Sequence, residues 1–263
     1  MARLRNAAAA IVVASSASAL FGVGVRTLLT RQAAIARRRI GKPLGEESLD
    51  ADRVWRRSLD GRPIELLLLG DSLAAGLGAE RRKETLGGRI AKGLARRMQR
   101  PVRLRTAAVI GSESSALAGQ LDSLPSGYRA DVAVIVVGGN DVTHNVPASS
   151  AADRLEEAIL RLQSDGTAVV VGTCPDLGAL RPVPQPLRTV LSRMSRRLAL
   201  AQTSVAWRTG AVPVDLRQAV GPTFHEEPDE MFGLDRFHPS AAGYRRTAEA
   251  LLPAVITALR SER

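Results

Sequence analysis

The sequence predicts an α/β fold in which a central parallel sheet is covered by helices on both faces, preceded by an N-terminal apolar helix. Near-continuous apolar runs at residues 64–69, 132–137 and 168–172 are too short for helices and lack alternation, which is how strands buried on both faces read. Stretches of helical period separate them, and strands alternating with helices build a parallel sheet. The composition, 45% apolar and 24% charged over 263 residues, is that of an ordinary globular chain large enough for one sizeable core.

Taken in order, residues 1–42 stand apart. They hold eight bases and no acid, so 29 of the 37 bases face all 26 acids in the rest of the chain. The net charge of +11 is therefore concentrated at one end, the body is close to neutral, and with 3% aromatics it offers few platforms for stacking bases. Nucleic-acid binding is not expected. Residues 7–25 carry no ionisable side chain and are flanked by Arg on both sides. Two readings fit them: a signal peptide, with Ala17-Ser18-Ala19 as a cleavage pattern, or an uncleaved anchor continuing through Leu28 and Leu29. An amphipathic surface helix using Arg37, Arg38 and Arg39 on anionic lipid is a third. The first two imply an exported or membrane-anchored protein, with membrane association through residues 7–29. The larger basic flank follows the segment, which taken alone favours a cytoplasmic catalytic domain.

Residues 43–63 mix Gly, Pro and both charge signs, and read as a linker with a helical turn around Trp55. The folded domain is expected over 64–263. Its elements are a strand at 64–69, a helix at 86–98, a strand at 102–109, a helix at 115–124, a strand at 132–137, a helix at 151–163 and a strand at 168–172. A long helix at 187–207, a strand at 211–216 and a closing helix at 241–259 follow.

In such a sheet ligands bind outside the carboxyl ends of the strands. The residues at those ends carry chemistry: Gly70-Asp71-Ser72, Gly111-Ser112, Gly138-Gly139-Asn140-Asp141, and, before the last helix, Asp235-Arg236-Phe237-His238. Each has an ordinary reading by itself. Ser72 and Asp71 are good helix caps, Asn140-Asp141 is a common turn, His238 before Pro239 is a loop histidine, and Gly111 ends a strand. Their joint occurrence at four sheet-edge positions favours one site over four coincidences.

A serine needs a base within hydrogen-bond reach to act as a nucleophile. His238 is the candidate base and proton donor, and Asp235, three residues earlier, folds back to orient its ring. Donors for a developing oxyanion would be the backbone N–H groups of Ser72 and Gly111 and the Asn140 side-chain amide. The helix starting near Ser72 adds a favourable dipole. His144 and His225 read as surface or packing residues, and Cys174, the single cysteine, as a buried thiol. Neither a metal site nor any cofactor is expected, since one cysteine and three histidines make no zinc cluster and no dinucleotide or P-loop pattern occurs.

These blocks resemble those of the SGNH hydrolases, the GDSL esterases and lipases, over roughly residues 64–252. Gly70-Asp71-Ser72 with Leu73 matches the first block, Gly111 the second, Gly138-Gly139-Asn140-Asp141 the third and Asp235-Arg236-Phe237-His238 the last. The second block departs from the pattern, lacking the Asn that many members carry upstream of the glycine. The resemblance implies a flavodoxin-like three-layer α/β/α sandwich and hydrolysis of esters or thioesters through an acyl-serine, with catalytic Ser72, Asp235 and His238.

On substrate the residues say less. No long apolar insertion that would form a lid occurs between Ser72 and Leu86, which favours small acyl esters over bulk lipid. Phe224, Met231, Phe232 and Phe237 either line an acyl pocket or pack the last loop, and Arg181 with Pro182–Pro186 is placed to meet a polar head group. Three functions fit: a carboxylesterase cleaving small-molecule or lipid esters, an O-acetyl deacetylase or acyltransferase on cell-envelope glycans, and a non-catalytic domain holding a phosphate at the helix after Ser72.

Overall fold

A computed structural model describes residues 23–261 except residue 46. The sheet has six strands: β1 (Val54–Trp55), β2 (Ile64–Gly70), β3 (Val102–Thr106), β4 (Val132–Val136), β5 (Ala168–Gly172) and β6 (Val212–Val214), in the spatial order β1-β3-β2-β4-β5-β6. The five strands from β3 to β6 are parallel and follow the flavodoxin order 2-1-3-4-5. Alternation along the strands divides the core in two. Leu66, Leu68, Val134 and Val170 face α3 (Leu86–Met98) and α11 (Ala241–Ser261), while Leu67, Leu69, Ile135 and Val171 face α4 (Leu117–Asp122), α6 (Ala148–Ser164) and α7 (Leu187–Arg208).

The sheet is not wholly parallel. β1 pairs antiparallel with β3, Val54 opposite Arg103 and Trp55 opposite Val102, where the sequence suggested a helical turn. The free edge of β3 offers backbone partners that an isolated turn lacks: Leu104 N donates to Arg53 O, and Thr106 N donates to the Asp52 carboxylate. Strands expected over 102–109 and 211–216 stop at Thr106 and Val214, because their remaining residues curl into the edge loops that carry the site.

The helix of residues 23–40, α1, docks on the body. Ala36 is buried with Val142, Cys174, Leu180 and Val183, and the Gln32 amide donates to Gln185 O while accepting from Leu187 N. The Arg39 guanidinium donates to Pro182 O. Most of the apolar run at 7–25, including the cleavage pattern, lies outside the described residues; among those described, no helix is long and apolar enough to cross a membrane.

The topology decides where a site forms. The chain crosses from β2 to β3 on one side and returns past β2 to β4 on the other, so the carboxyl ends of β2 and β4 diverge and leave a crevice. Residues 70–72 and 138–141 sit on its two lips.

Candidate active site

Gly70 closes β2 with φ +130, and a Cβ there would lie 1.8 Å from Val136 O, so the close approach of β2 to β4 requires glycine. Asp71 then caps α2 (Ser72–Ala75), its carboxylate accepting from Leu73 N at 3.0 Å. Burial pushes its carboxyl up to about 6, against the pull of the Leu73 and Gly139 N–H groups and of His238. Asp71 is thus a cap, as its spacing suggested. α2 is a single turn, which leaves less helix dipole at Ser72 than the sequence implied, and any anion there depends on direct donors.

The last block forms a tight turn before α11. Arg236 takes φ +54, and Asp235 Oδ1 accepts from both Phe237 N and His238 N at 2.9 Å. The second oxygen, Oδ2, lies 2.6 Å from His238 Nδ1, and His238 Nε2 lies 2.9 Å from Ser72 Oγ. With Nδ1 protonated, the ring donates to the carboxylate and accepts from the serine hydroxyl. Burial raises the Asp235 carboxyl, but the hydrogen bonds from His238, Phe237 N and His238 N outweigh it and hold the group below its ordinary value, hence ionised. Phe237 packs edge-on against the imidazole at 4.8 Å between centroids, restricting ring rotation.

Three further loops complete the crevice. Gly111 has φ +81, and no protein atom lies within 4 Å of where a Cβ would stand, so it is the backbone angle that calls for glycine. Asn140 lies in α5 (Gly139–Thr143), and its Nδ2 donates to Ser112 O at 3.0 Å, tying the two loops and leaving a second N–H. Among the described residues, the N–H groups of Ser72 and Gly111 have no protein acceptor. Two buried side chains brace these loops, Asp141 of the third block and Gln120, which the sequence did not mark. Gln120 binds both N–H and C=O of Gly70 at 2.9 and 2.8 Å, and the Asp141 carboxylate accepts from Ser114 N and Oγ at 3.1 Å. Gln120 could not be found by motif, because a glutamine inside a helix has no periodic signature.

A narrow pocket of about 80 Å³ opens from Ser72 and His238 into the body. Phe224, Phe232 and Phe237 line it with Leu177, Leu180 and Val220, whereas Met231, grouped with those aromatics in the sequence, is buried in the core. At its far wall Asp176 gathers Gly178 N and Ser192 Oγ at 2.8 Å, Arg217 at 2.7 Å and His225 Nε2 at 3.1 Å. Burial works against ionisation of Asp176, yet those partners keep its carboxyl below the ordinary range. Arg181 donates to His225 O on the outer side of this cluster. His144 is exposed and pairs with Glu113, and Cys174 is fully buried with its thiol pushed well up by desolvation.

Comparison with known proteins adds a family. The model of the GDSL-like lipase/acylhydrolase family matches residues 68–246. A GDSL-like esterase of Mycobacterium tuberculosis is 39% identical over 249 residues, covering 90% of this chain and 78% of that protein. Among solved structures, an alpha/beta hydrolase from the metagenome of Lake Arreo superposes with TM-score 0.60 at 22% identity, over 74% of this chain and 96% of that one. A lipase/acylhydrolase from Enterococcus faecalis does so with TM-score 0.57 at 21% identity, over 72% and 94%.

Proposed function

The chain belongs to the GDSL-like lipase/acylhydrolase family and hydrolyses ester bonds, and from that premise we propose a serine carboxylesterase acting on short acyl groups through an acyl-serine. The observation that carries the reading is the hydrogen-bonded line Ser72–His238–Asp235 at the mouth of the narrow apolar pocket.

In this mechanism His238 Nε2 takes the Ser72 proton as Oγ attacks the ester carbonyl. Asp235 holds the ring in the tautomer that leaves Nε2 unprotonated and stabilises the imidazolium that forms. The carbonyl oxygen becomes an oxyanion held by Ser72 N–H, Gly111 N–H and the free Asn140 N–H. Collapse expels the alcohol, which takes the proton from His238. Water, deprotonated by the same nitrogen, then attacks the acyl-serine, and Ser72 Oγ leaves with that proton from His238 as the acid is released.

The acyl group would enter the pocket between Phe224, Phe232 and Phe237. Its open volume is well below the roughly 300–1,000 Å³ of sites for drug-sized ligands, which supports an acyl group of a few carbons. The non-catalytic phosphate-binding alternative is set aside, since the family hydrolyses esters. The test is a p-nitrophenyl ester series from acetyl to palmitoyl, with Ser72→Ala beside the parent and a phosphonate to trap the nucleophile. Turnover falling beyond butyryl, none in Ser72→Ala and phosphonylation of Ser72 are expected. Retained turnover in Ser72→Ala, or preference for palmitoyl, overturns the proposal. Activity confined to acetylated glycans overturns the general esterase in favour of a deacetylase.

A further inference from the structure

The outer face of α7 combines bases with large exposed apolar side chains. Arg193, Arg196, Arg197, Leu200, Ser204 and Trp207 recur at helical spacing and are all exposed, Leu200 by 61% and Trp207 by 71%. They form a stripe that runs about 21 Å from Arg193 to Trp207 at 1.5 Å per residue. Arg193, Arg196 and Arg197 form no salt bridge or hydrogen bond with any described residue. The sequence explains why: residues 177–214 contain no Asp or Glu. Glu156 and Glu157 on the adjacent α6 are taken by Arg208 and Arg154, and Asp215, beyond β6, is occupied in capping α8 (Leu216–Ala219). A solvated face normally intersperses both signs. This one presents unpaired guanidinium groups with an exposed indole and leucine.

We propose that this face is a docking surface for an anionic lipid bilayer. Guanidinium groups meet the phosphates, while Trp207 and Leu200 enter the zone between head groups and acyl chains, where an indole places its ring and its N–H together. Double-stranded nucleic acid would complement the charge but not the apolar pair. A second, separate feature favours lipid. α1 docks at the start of α7, through Gln32 on Gln185 and Leu187, and carries the exposed Arg26, Arg31, Arg37 and Arg38 with no acid among its residues. Val23, Val25 and Leu28 at the beginning of α1 are exposed, and the apolar run of sequence at 7–25 leads directly into it. The body would thus lie on the surface along α7 instead of hanging from a single N-terminal point. None of these residues belongs to the catalytic crevice.

The test uses the full chain with vesicles of phosphatidylglycerol and phosphatidylcholine, and with phosphatidylcholine alone. Trp207 reports its own environment, since the chain has two tryptophans and Trp207→Phe leaves only Trp55 as a control. A blue shift on anionic vesicles, quenched by brominated lipid, weakened by salt and absent in Trp207→Phe, is expected. R193Q/R196Q/R197Q should weaken the vesicle binding read by Trp207 roughly 100-fold, taking about fivefold per Arg near a charged surface. Hydrolysis of a soluble short ester should not change. An unchanged Trp207 spectrum while the chain sediments with vesicles through its N-terminal end overturns the proposal. So does an equal shift on neutral vesicles, or a response to RNA in place of vesicles.

Discussion

Replacing Asn140 by alanine tests the oxyanion site most directly, because that side chain performs two separable tasks. One N–H of its amide donates to Ser112 O at 3.0 Å, and the other, in the proposed mechanism, meets the oxyanion. Losing the first removes an ordinary hydrogen bond between two loops, a cost of about 1 kcal/mol in stability. Losing the second removes one of three donors at the point where negative charge develops, which costs about 3–4 kcal/mol, or 100- to 1,000-fold in turnover. The two effects fall in different measurements. Asn140→Ala should therefore unfold only a few degrees below the parent, while kcat on p-nitrophenyl acetate drops by two to three decades and KM changes little. In the proposed mechanism the side chain binds the transition state, not the ground-state ester, so an effect confined to KM contradicts the assignment. Turnover within threefold of the parent refutes it outright. Asn140→Asp is a useful companion: it is nearly isosteric, but puts a carboxylate where the oxyanion forms, and should be at least as impaired as the alanine variant.

Three other predictions follow from the same geometry. Asp235→Asn leaves a near-isosteric side chain but destroys the acceptor that fixes the His238 tautomer, and should lower kcat by about 10³- to 10⁴-fold in steady-state assays while the fold is retained. Asp71 is held at about 6 in the folded chain against an ordinary value near 3.8, so between those pH values the folded state keeps a proton that the unfolded state has released. Stability from this group therefore falls as pH rises from about 4 to 6, by roughly 3 kcal/mol in all; Asp71→Asn keeps the cap, and its melting temperature should exceed that of the parent at pH 8 but not at pH 4. Asp176→Asn loosens the wall that Arg217 and His225 hold around Phe224 and Leu177, and the p-nitrophenyl series should shift toward longer acyl chains with acetyl turnover preserved; an unchanged chain-length profile with normal folding would remove Asp176 from the pocket's definition.

The layered sheet was legible because its strands are buried on both faces, and a run such as Leu66–Leu69 leaves no other economical structure. The chemical residues were legible for a different reason. Strand ends in a parallel sheet face one crevice, so sequence neighbours of the strands become spatial neighbours of each other, and Ser72 and His238 meet across 166 positions of chain. What escaped is everything fixed by partners instead of period. Val54 and Trp55 pair only because β3 has a free edge, and the short helices α8, α9 (Gly221–Glu226) and α10 (Pro228–Met231) are each too brief to show an amphipathic repeat. Asp176, after Cys-Pro in a loop, has no local signal at all, because its partners lie 16, 41 and 49 residues away.

The braces bear on why the crevice is arranged as it is. An oxyanion hole drawn from three loops works only if their donors keep a fixed spacing without substrate, since reorganisation during reaction would cancel the gain. Each of those loops is short, polar and outside the regular ladders. Gln120 answers this for the first by gripping Gly70 N–H and C=O with both ends of its amide, beside the Val109 N–H that also donates to Gly70 O. Its Nε2 also reaches Ser112 Oγ at 3.4 Å, and Asn140 holds Ser112 O, so the second loop is tied to the other two. Asp141 adds a fourth tie through Ser114, with burial pushing its carboxyl up and the two Ser114 donors pulling it down. Asn140 and Asp141 are adjacent in one helical turn and bind Ser112 and Ser114, two positions apart in the same loop, which makes the Asn-Asp pair a single positioning device. Neither residue alone would fix both the place and the orientation of Gly111 N–H. A rigid donor set at the divergence of β2 and β4 is therefore a product of side chains on α4 and α5 as much as of the backbone turns that carry the donors.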